Sequence, residues 1–408
     1  MLQFRNHFGM QLQKLQKNKC SACGNNPVNH TAAYFHNTLN VYLEPIVMAM
    51  TNNIFIDKVI TSLLWVFNYA LRLYIPIFRL FGLISWNNDK TLATSERSLV
   101  IWEEAEKRNI PMRQLVILGK PVELYEAKIH DKRVMFESIP KPAKLAHTGD
   151  TWMDDKYTLK EKLESEYIPV PHGKSVTSYK EAVTVFNTLR KPVIIKPRLG
   201  SRGRHTTTHI TTEKDLRVAF ESAQRLCRFV IIEEHLLGSV YRGTLVGDEV
   251  VGVLRGDPPR ITGTGSDTIR ELIDLKNAQK DTRIKDVTIN EQLELFLGRL
   301  GYTLETVLEK DLSIDLSEKI GISYGGSSKE MLPETHPKII AELTHAGKLV
   351  NSPVIGFDFI IGDPTQNPEA QIWGIIECNS LPFINLHHHP IEGTPINVAA
   401  KVWDLWSI

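Results

Sequence analysis

The chain has 408 residues, enough for two or three domains with a sizeable buried core. Apolar residues make up 42% and charged residues 23%, an ordinary globular balance that excludes general disorder. With 48 lysines and arginines against 47 acids there is no basic surplus, which argues against a nucleic-acid binder. The four cysteines, Cys20, Cys23, Cys227 and Cys378, are too few for a disulfide framework and point to a reducing cytoplasm. The first twenty residues are basic and glutamine-rich, without the apolar run of a secretory signal.

Residues 1–52 read as a polar, irregular segment. In it Cys20-x-x-Cys23, followed by His30 and His36, offers four potential Zn²⁺ ligands, with free surface thiols as the default reading. Residues 53–88 hold the most apolar stretch of the chain. Its uncharged run from Val59 to Leu71 is shorter than the roughly 20 residues a spanning helix needs, and Pro76 would kink or end a helix. Two readings stay open for residues 54–84: helices packed on the next domain, or an interfacial helix in peripheral contact with a membrane.

Residues 89–148 read as a small α/β domain. A periodic helix (SLVIWEEAEKRNI) is followed by the β-branched run QLVILG, then by a hairpin across LYEAKIHDKRVMFES with its turn at Asp131-Lys132. Residues 149–242 begin with an acid-led helix, DTWMDDKYTLKEKLESEY, and continue through alternating strands and helices. In residues 243–408, Gly247-Asp248 signals a hairpin turn, 266–312 reads as mostly helical, and the end returns to strands.

Three features carry chemistry. In VIIKPRLGSRGRHTTT a strand delivers Lys196, and Gly200-Ser201-Arg202-Gly203-Arg204 forms a turn rich in backbone donors and positive charge. Glycines let successive N–H groups converge on phosphate oxygens while cations neutralise them. No Walker sequence occurs, and such a turn alone is weak evidence. In VIIEEHLLG an apolar strand ends in Glu233-Glu234, either reaching solvent or forming a purine-binding hinge. The sharpest feature is GFDFII with GIIECNS. Strand alternation puts Glu377 and Asn379 on one face and Cys378 on the other. Acids flanked by Ile and Phe are costly to bury unpaired, and a hard divalent cation such as Mg²⁺ removes that cost.

With these features in this order the chain resembles the ATP-grasp family, chiefly the ATP-grasp portion of cyanophycin synthetase and of bifunctional glutathione synthetase, and distantly D-alanine–D-alanine ligase. The likeness runs from about Asp154 to Trp406 and takes in Asp155-Lys156, GTGSDTIRELI, SYGGSS and His389-Pro390. It implies an α+β fold of two subdomains clasping ATP, residues 149–242 being the lid and 243–408 carrying the metal site.

The resemblance implies that Lys156 and Lys196 contact phosphates, that Gly200, Ser201 and Gly203 lie in a loop closing over them, and that Glu233, Glu234 and the backbone near Leu236 hold adenine. Asp358, Glu377 and Asn379 would bind Mg²⁺, in the expected number of two ions. Lys196, Arg204 and Arg255 are the candidate catalytic cations. The reaction implied converts a small-molecule carboxylate to an acyl phosphate that an amine, from an amino acid or peptide, attacks to give an amide. An ATP-grasp phosphotransferase and a non-catalytic nucleotide-binding protein docked through residues 54–84 are the competing readings, and a dimer is compatible with either.

Three departures limit the carry-over, the later ones toward the substrate side. Val240 stands where relatives carry a ribose-binding acid, Arg255-Gly256 where they carry Glu-Arg, and Asn385 where they carry an arginine. Neither a Mur-ligase-like domain nor a glutamate–cysteine ligase is expected beside this core. The His387-His388-His389 run reads either as a transition-metal ligand set or as a substrate-proximal loop. Tyr324 and Ser327 read as part of a Gly-rich turn that covers the acceptor or simply connects.

Overall fold

A computed structural model describes residues 20–23, 27–51, 77–142, 150–200 and 203–407. Most of the apolar segment lies outside these residues. At its end, Leu80 and Phe81 are 84% and 71% exposed. Among the described residues no helix is long and apolar enough to cross a membrane.

After helix α1 (His30–Thr51) comes an antiparallel meander of β1 (Ile84–Asn87), β2 (Met112–Ile117), β3 (Lys120–Ile129) and β4 (Lys132–Glu137). Helix α2 (Glu96–Lys107) is N-capped by Ser95, whose hydroxyl accepts from the Ser98 N–H. Ile129 pairs with Lys132, so the hairpin turn is His130-Asp131, one residue earlier than its sequence suggests. His130 adopts a left-handed φ of 50°, as a two-residue turn that matches the twist of its flanking strands favours. Trp102, Tyr125 and Phe136 fill the meander's core together with Trp403 from the C-terminal helix α10 (Val398–Asp404).

The next unit is an antiparallel sheet in the order β5 (Gly173–Val176), β8 (Val230–Glu234), β6 (Val193–Pro197), β7 (Thr207–Ile210). Helices α4 (Tyr179–Thr188) and α5 (Glu213–Gln224) bury Phe186, Leu216 and Phe220 against Val193, Ile195, Val230 and Ile232. That leaves the opposite face, bearing Lys196 and Glu233, for polar use. It is reached by α3 (Lys156–Ser165).

The largest sheet is antiparallel in the order β13 (Ser328–Glu330), β10 (Glu249–Gly256), β9 (Ser239–Val246), β14 (Val354–Ile361), β15 (Gly374–Asn379), and Gly247-Asp248 is the β9–β10 turn as expected. Tyr241, Leu245, Val253, Phe357 and Phe359 alternate onto one face under Ile339 and Leu343 of α8 (Pro337–Val350). The other face carries Arg242, Thr244 and Asp358.

On that second face His387, in the short helix α9 (Asn385–His388), is fully buried. Its Nδ1 lies 2.7 Å from a Glu330 carboxylate oxygen and its Nε2 2.7 Å from the Thr244 hydroxyl. Both ring nitrogens are thus engaged, which removes His387 from the transition-metal set suggested by the triple-histidine run. Gly252 makes this packing feasible, since a Cβ there would meet His387 Nδ1 at 2.5 Å. Between 266 and 312 only α6 (Ile269–Gln279) and α7 (Glu291–Arg299) are helical, less than expected. Positive φ at Gly301 and Asp311 breaks the chain there, and β12 (Ser313–Asp315) pairs with β11 (Arg260–Thr262).

Helix α1 crosses both larger units. Asn37 donates to the Leu226 carbonyl at 2.9 Å, the Arg228 N–H donates to Thr38 at 3.0 Å, and Tyr42 meets Phe229 edge-on. Two turns on, Met48 packs against the core beneath the five-stranded sheet. Between these contacts the Glu44 carboxyl is pushed up to about 7, first by burial and then by Asp155 and Asp154. Its folded-state value lies above the ordinary 4.5, so the folded protein holds that proton more tightly and loses stability as pH rises from about 4.5 to 7. Glu44→Gln is therefore expected to raise the melting temperature at pH 8 and to leave it unchanged at pH 4, as read by parallel thermal melts.

Candidate functional site

Strand alternation builds the first half of the site. Ile195 and Ile232 point into the α4–α5 core, so Lys196 and Glu233 point the other way. There a Glu233 oxygen pairs with Lys196, and the other takes Lys160 from α3 at 3.4 Å. All three side chains are nearly buried, at 5%, 3% and 5% exposure for Lys196, Glu233 and Lys160. Burial alone would raise the Glu233 carboxyl, but Lys196 and Lys160 outweigh it and hold the group below its usual range. Burial depresses the Lys160 ammonium despite Glu233. Two cations share one anion in a dry site, and the surplus charge suits an anionic ligand.

Lys160 did not emerge from the sequence reading, although its i+4 spacing from Lys156 puts it on the same face of α3. Glu234 corrects an expectation. It alternates to the opposite face, where it pairs with Arg190 at 3.1 Å, away from Glu233 and Lys196. It lines an open cleft with Leu236, Val170, Lys338 and Trp373, and Lys156, Lys160 and Lys196 are not among the residues that line it. Leu236 is buried at the end of the hinge, as an apolar wall requires.

The second half lies across three consecutive residues. Asp154 accepts from the Ser380 N–H at 3.0 Å and from its hydroxyl at 2.8 Å, fixing the chain just beyond Asn379. Asp155 caps α3 by accepting from the Tyr157 and Thr158 amides, and both its oxygens lie 2.8 Å from Arg198 at the end of β6. Lys156 then donates to the Gly200 carbonyl at 2.6 Å and lies 3.6 Å from Glu377. The phosphate-loop candidate and the metal-ligand candidate thus meet at one ammonium. Gly200 and Gly203 have φ of 143° and 60°, conformations that favour glycine. Ser201 lies outside the described residues.

Asp358 and Glu377 are direct cross-strand partners, and Asn379 lies on the same face opposite Gly356. Asp358 and Glu377 keep 13% and 24% of their side-chain surface, while Cys378 turns into the core and burial pushes its thiol well up. Arg242 grips Asp358 with both prongs, at 2.7 and 2.8 Å. Burial opposes the Arg242 charge, and Asp358 more than restores it. Sequence reasoning missed Arg242 because its row in the sheet depends on β9–β14 register. Two carboxylates and an amide on one partly open face are hard oxygen donors with room for water or phosphate, and they fit a divalent cation of the Mg²⁺ type.

The remaining candidates separate from this centre. Arg255 shares a row with Tyr241 and Phe359, one residue out of step with Arg242 and Asp358. It therefore lies on the opposite sheet face and pairs with Asp257 at 2.8 Å, which corrects its expected catalytic placement. Asp257 also accepts from Ser239, beside Val240. Arg204 lies near Cys23 and Lys319 rather than at the carboxylates. Asn385 starts α9 with a buried Oδ1 that has no hydrogen-bond partner among the described residues. Tyr324 ends a short 3₁₀ turn, Ile322–Tyr324, closed by left-handed Gly325, and Ser327 follows it.

The cysteine pair also departs from expectation. Cys20, Cys23 and His30 converge with His205, not with His36. His36 is six residues beyond His30 on α1, on a different face, and accepts from Asn40 at 3.1 Å. His205 comes from the end of the Gly-rich loop, 182 positions beyond Cys23, a contact that no local spacing reveals.

No family model matches the chain. Cyanophycin synthetase of Trichormus variabilis is 29% identical over 332 residues, covering 78% of this chain and 35% of that protein. The glutathione biosynthesis bifunctional protein of Clostridium perfringens is 29% identical over 262 residues, covering 62% of this chain and 34% of its own. The crystal structure of a bifunctional glutathione synthetase from Pasteurella multocida superposes with a TM-score of 0.52 at 25% identity, over 76% of this chain and 44% of that one. The chain spans about a third of the length of the curated relatives it matches. It has the ATP-grasp fold, and its resemblance is to the ATP-grasp portion of these ligases.

Arg242→Met is expected to cost about 3–5 kcal/mol of stability, because Asp358 loses its only bidentate partner among the described residues. Added Mg²⁺ should restore much of that loss, as urea unfolding with and without the ion will read. Combining the variant with Asp358→Asn should abolish the Mg²⁺ effect.

Proposed function

We propose that this protein is an ATP-dependent carboxylate–amine ligase. The observation that carries the reading is the Lys156 ammonium, held between the Gly200 carbonyl and Glu377. It joins a phosphate-cradling loop to a pair of strand carboxylates, in a chain similar over most of its length to ligases that form amides.

In this reading a carboxylate oxygen of the substrate attacks the γ-phosphorus of ATP, ADP departs, and an acyl phosphate forms. An amine nitrogen then attacks the acyl carbon and phosphate leaves. Lys156 and Lys196 neutralise the phosphate oxygens, and Lys160 supplies the second buried cation that Glu233 alone does not balance. Phosphoryl transfer is served by positioning and charge neutralisation more than by a protein nucleophile. With both Glu233 oxygens committed to lysines, the backbone near Leu236 is the hinge's contact for a purine edge. Asp358, Glu377 and Asn379 would hold Mg²⁺, which neutralises phosphate charge when bound. The loop from Gly200 to Thr206 keeps water from the acyl phosphate. Arg242 holds Asp358 in place.

The substrates are a small carboxylate and an amine, with the amino acids or peptides used by ATP-grasp ligases as the nearest class. The altered positions Val240, Arg255 and Asn385 leave the identity of the pair open. Screening ADP release over paired amino acids and dicarboxylates identifies the pair. With the true carboxylate, hydroxylamine is expected to trap a hydroxamate, and a phosphorylated product without hydroxamate would instead mark a phosphotransferase. Asp358→Asn and Glu377→Gln should each lower kcat by about 100-fold or more. Full activity in both would remove the metal assignment.

A second reading concerns location. Ile77, Leu80 and Phe81 are exposed at 48%, 84% and 71%, which supports peripheral contact of residues 54–84 with a lipid surface. Flotation with anionic vesicles should carry the parent chain upward, and Leu80→Glu with Phe81→Glu should leave it at the bottom. Equal flotation of the two would overturn this reading.

A further inference from the structure

The structure assigns a tetrahedral zinc site to Cys20, Cys23, His30 and His205, which ties the N-terminal segment to the end of the Gly-rich loop. The four ligand atoms lie within 4.8 Å of one another. Cys23 Sγ is 3.3 Å from His30 Nε2 and 3.4 Å from His205 Nε2, and Cys20 Sγ is 3.6 Å from the same His205 nitrogen. Zinc bonds of about 2.3 Å to sulfur and 2.0–2.1 Å to nitrogen separate tetrahedral ligands by roughly 3.3–3.8 Å. The sulfur–nitrogen distances fall in that window. A single hydrogen bond would account for one of them, whereas Cys23 meets two imidazoles and one imidazole meets two sulfurs.

The surroundings are those of a built site. The Cys23 N–H donates to the Cys20 carbonyl at 3.1 Å, and the His205 N–H donates to the Ala22 carbonyl at 3.1 Å, so the backbone wraps the sulfurs as a knuckle. His205 Nδ1 lies 2.8 Å from the Ser222 carbonyl, which fixes the tautomer that presents Nε2. The rings of His30 and His205 meet edge-on at 4.9 Å. Cys23 and His205 are buried at 0% and 1%, beside Val28, Ala33 and Leu226. Two thiolates and two neutral imidazoles around Zn²⁺ carry no net charge, which suits this burial.

The site does structural work in a specific place. His30 opens α1, which runs from this cluster past Glu44 and Asp155 to the core under the five-stranded sheet. His205 closes the loop whose other end, Gly200, is held by Lys156. Metal at the cluster would therefore anchor the loop's second end and the start of α1 together. No open coordination position is offered, as a structural rather than catalytic site requires.

The test is metal analysis of the full chain purified without chelator. About one zinc per chain is expected, and replacement by Co²⁺ should give the strong visible bands of a tetrahedral thiolate complex. Cys20→Ser and His205→Asn should each lose the metal, with circular dichroism showing whether the fold is kept. His36→Ala should retain it in full. Chelation should also speed hydrogen exchange at residues 203–206. A parent chain that binds neither Zn²⁺ nor Co²⁺ after reduction overturns the assignment, and so does loss of metal in His36→Ala with retention in His205→Asn.

Discussion

Three consecutive side chains, Asp154, Asp155 and Lys156, hold the candidate site together. Asp154 fixes the chain at Ser380, Asp155 grips Arg198 at the mouth of the lid sheet, and Lys156 reaches both the Gly-rich loop and Glu377. The contacts to Arg198 and Gly200 join units that have separate hydrophobic cores, while those to Ser380 and Glu377 lie beside the core that α3 shares with the five-stranded sheet. Because Asp155 also caps α3, helix formation and inter-unit docking depend on the same carboxylate. The position of the lid strands relative to the carboxylate strands is set at this point.

The charges around that hub are arranged in unequal sets. On the lid side two ammoniums surround Glu233, leaving excess positive charge. On the sheet side Asp358 is matched by Arg242, and Glu377 has Lys156 at a longer distance. Burial makes each set sensitive to what binds, since an unmatched buried charge is costly. A polyanion between the halves meets the lid surplus, and a divalent cation meets the carboxylates. The two sets thus favour a nucleotide together with its metal over either alone.

Much of this was legible in the sequence where alternation within one strand was enough. Glu377 and Asn379 share a face, Cys378 turns inward, and Gly247-Asp248 makes the expected turn. What escaped required knowledge of register or tertiary approach. Arg242 becomes Asp358's partner only when β9 pairs with β14 in this register, and the same register carries Arg255 to the far face. Glu234 follows Glu233 directly, which in a strand means opposition in space, so only one of the two hinge candidates faces Lys196. His205 replaced His36 because a loop returning from the lid reaches the cysteines more directly than the next turns of α1 do.

The Gly-rich loop shows how these constraints combine. Gly200 is tethered by Lys156, and His205 is tethered by its ring and by its own N–H to Ala22. A loop closed at both ends within a few residues has little conformational freedom to lose when it orders over a ligand. The N-terminal segment thereby holds the loop's second end, although it lies outside the stretch that carries the resemblance to ligases. Helix α1 extends that role, because it docks on the lid through Asn37, Thr38 and Tyr42 and on the sheet's core through Met48.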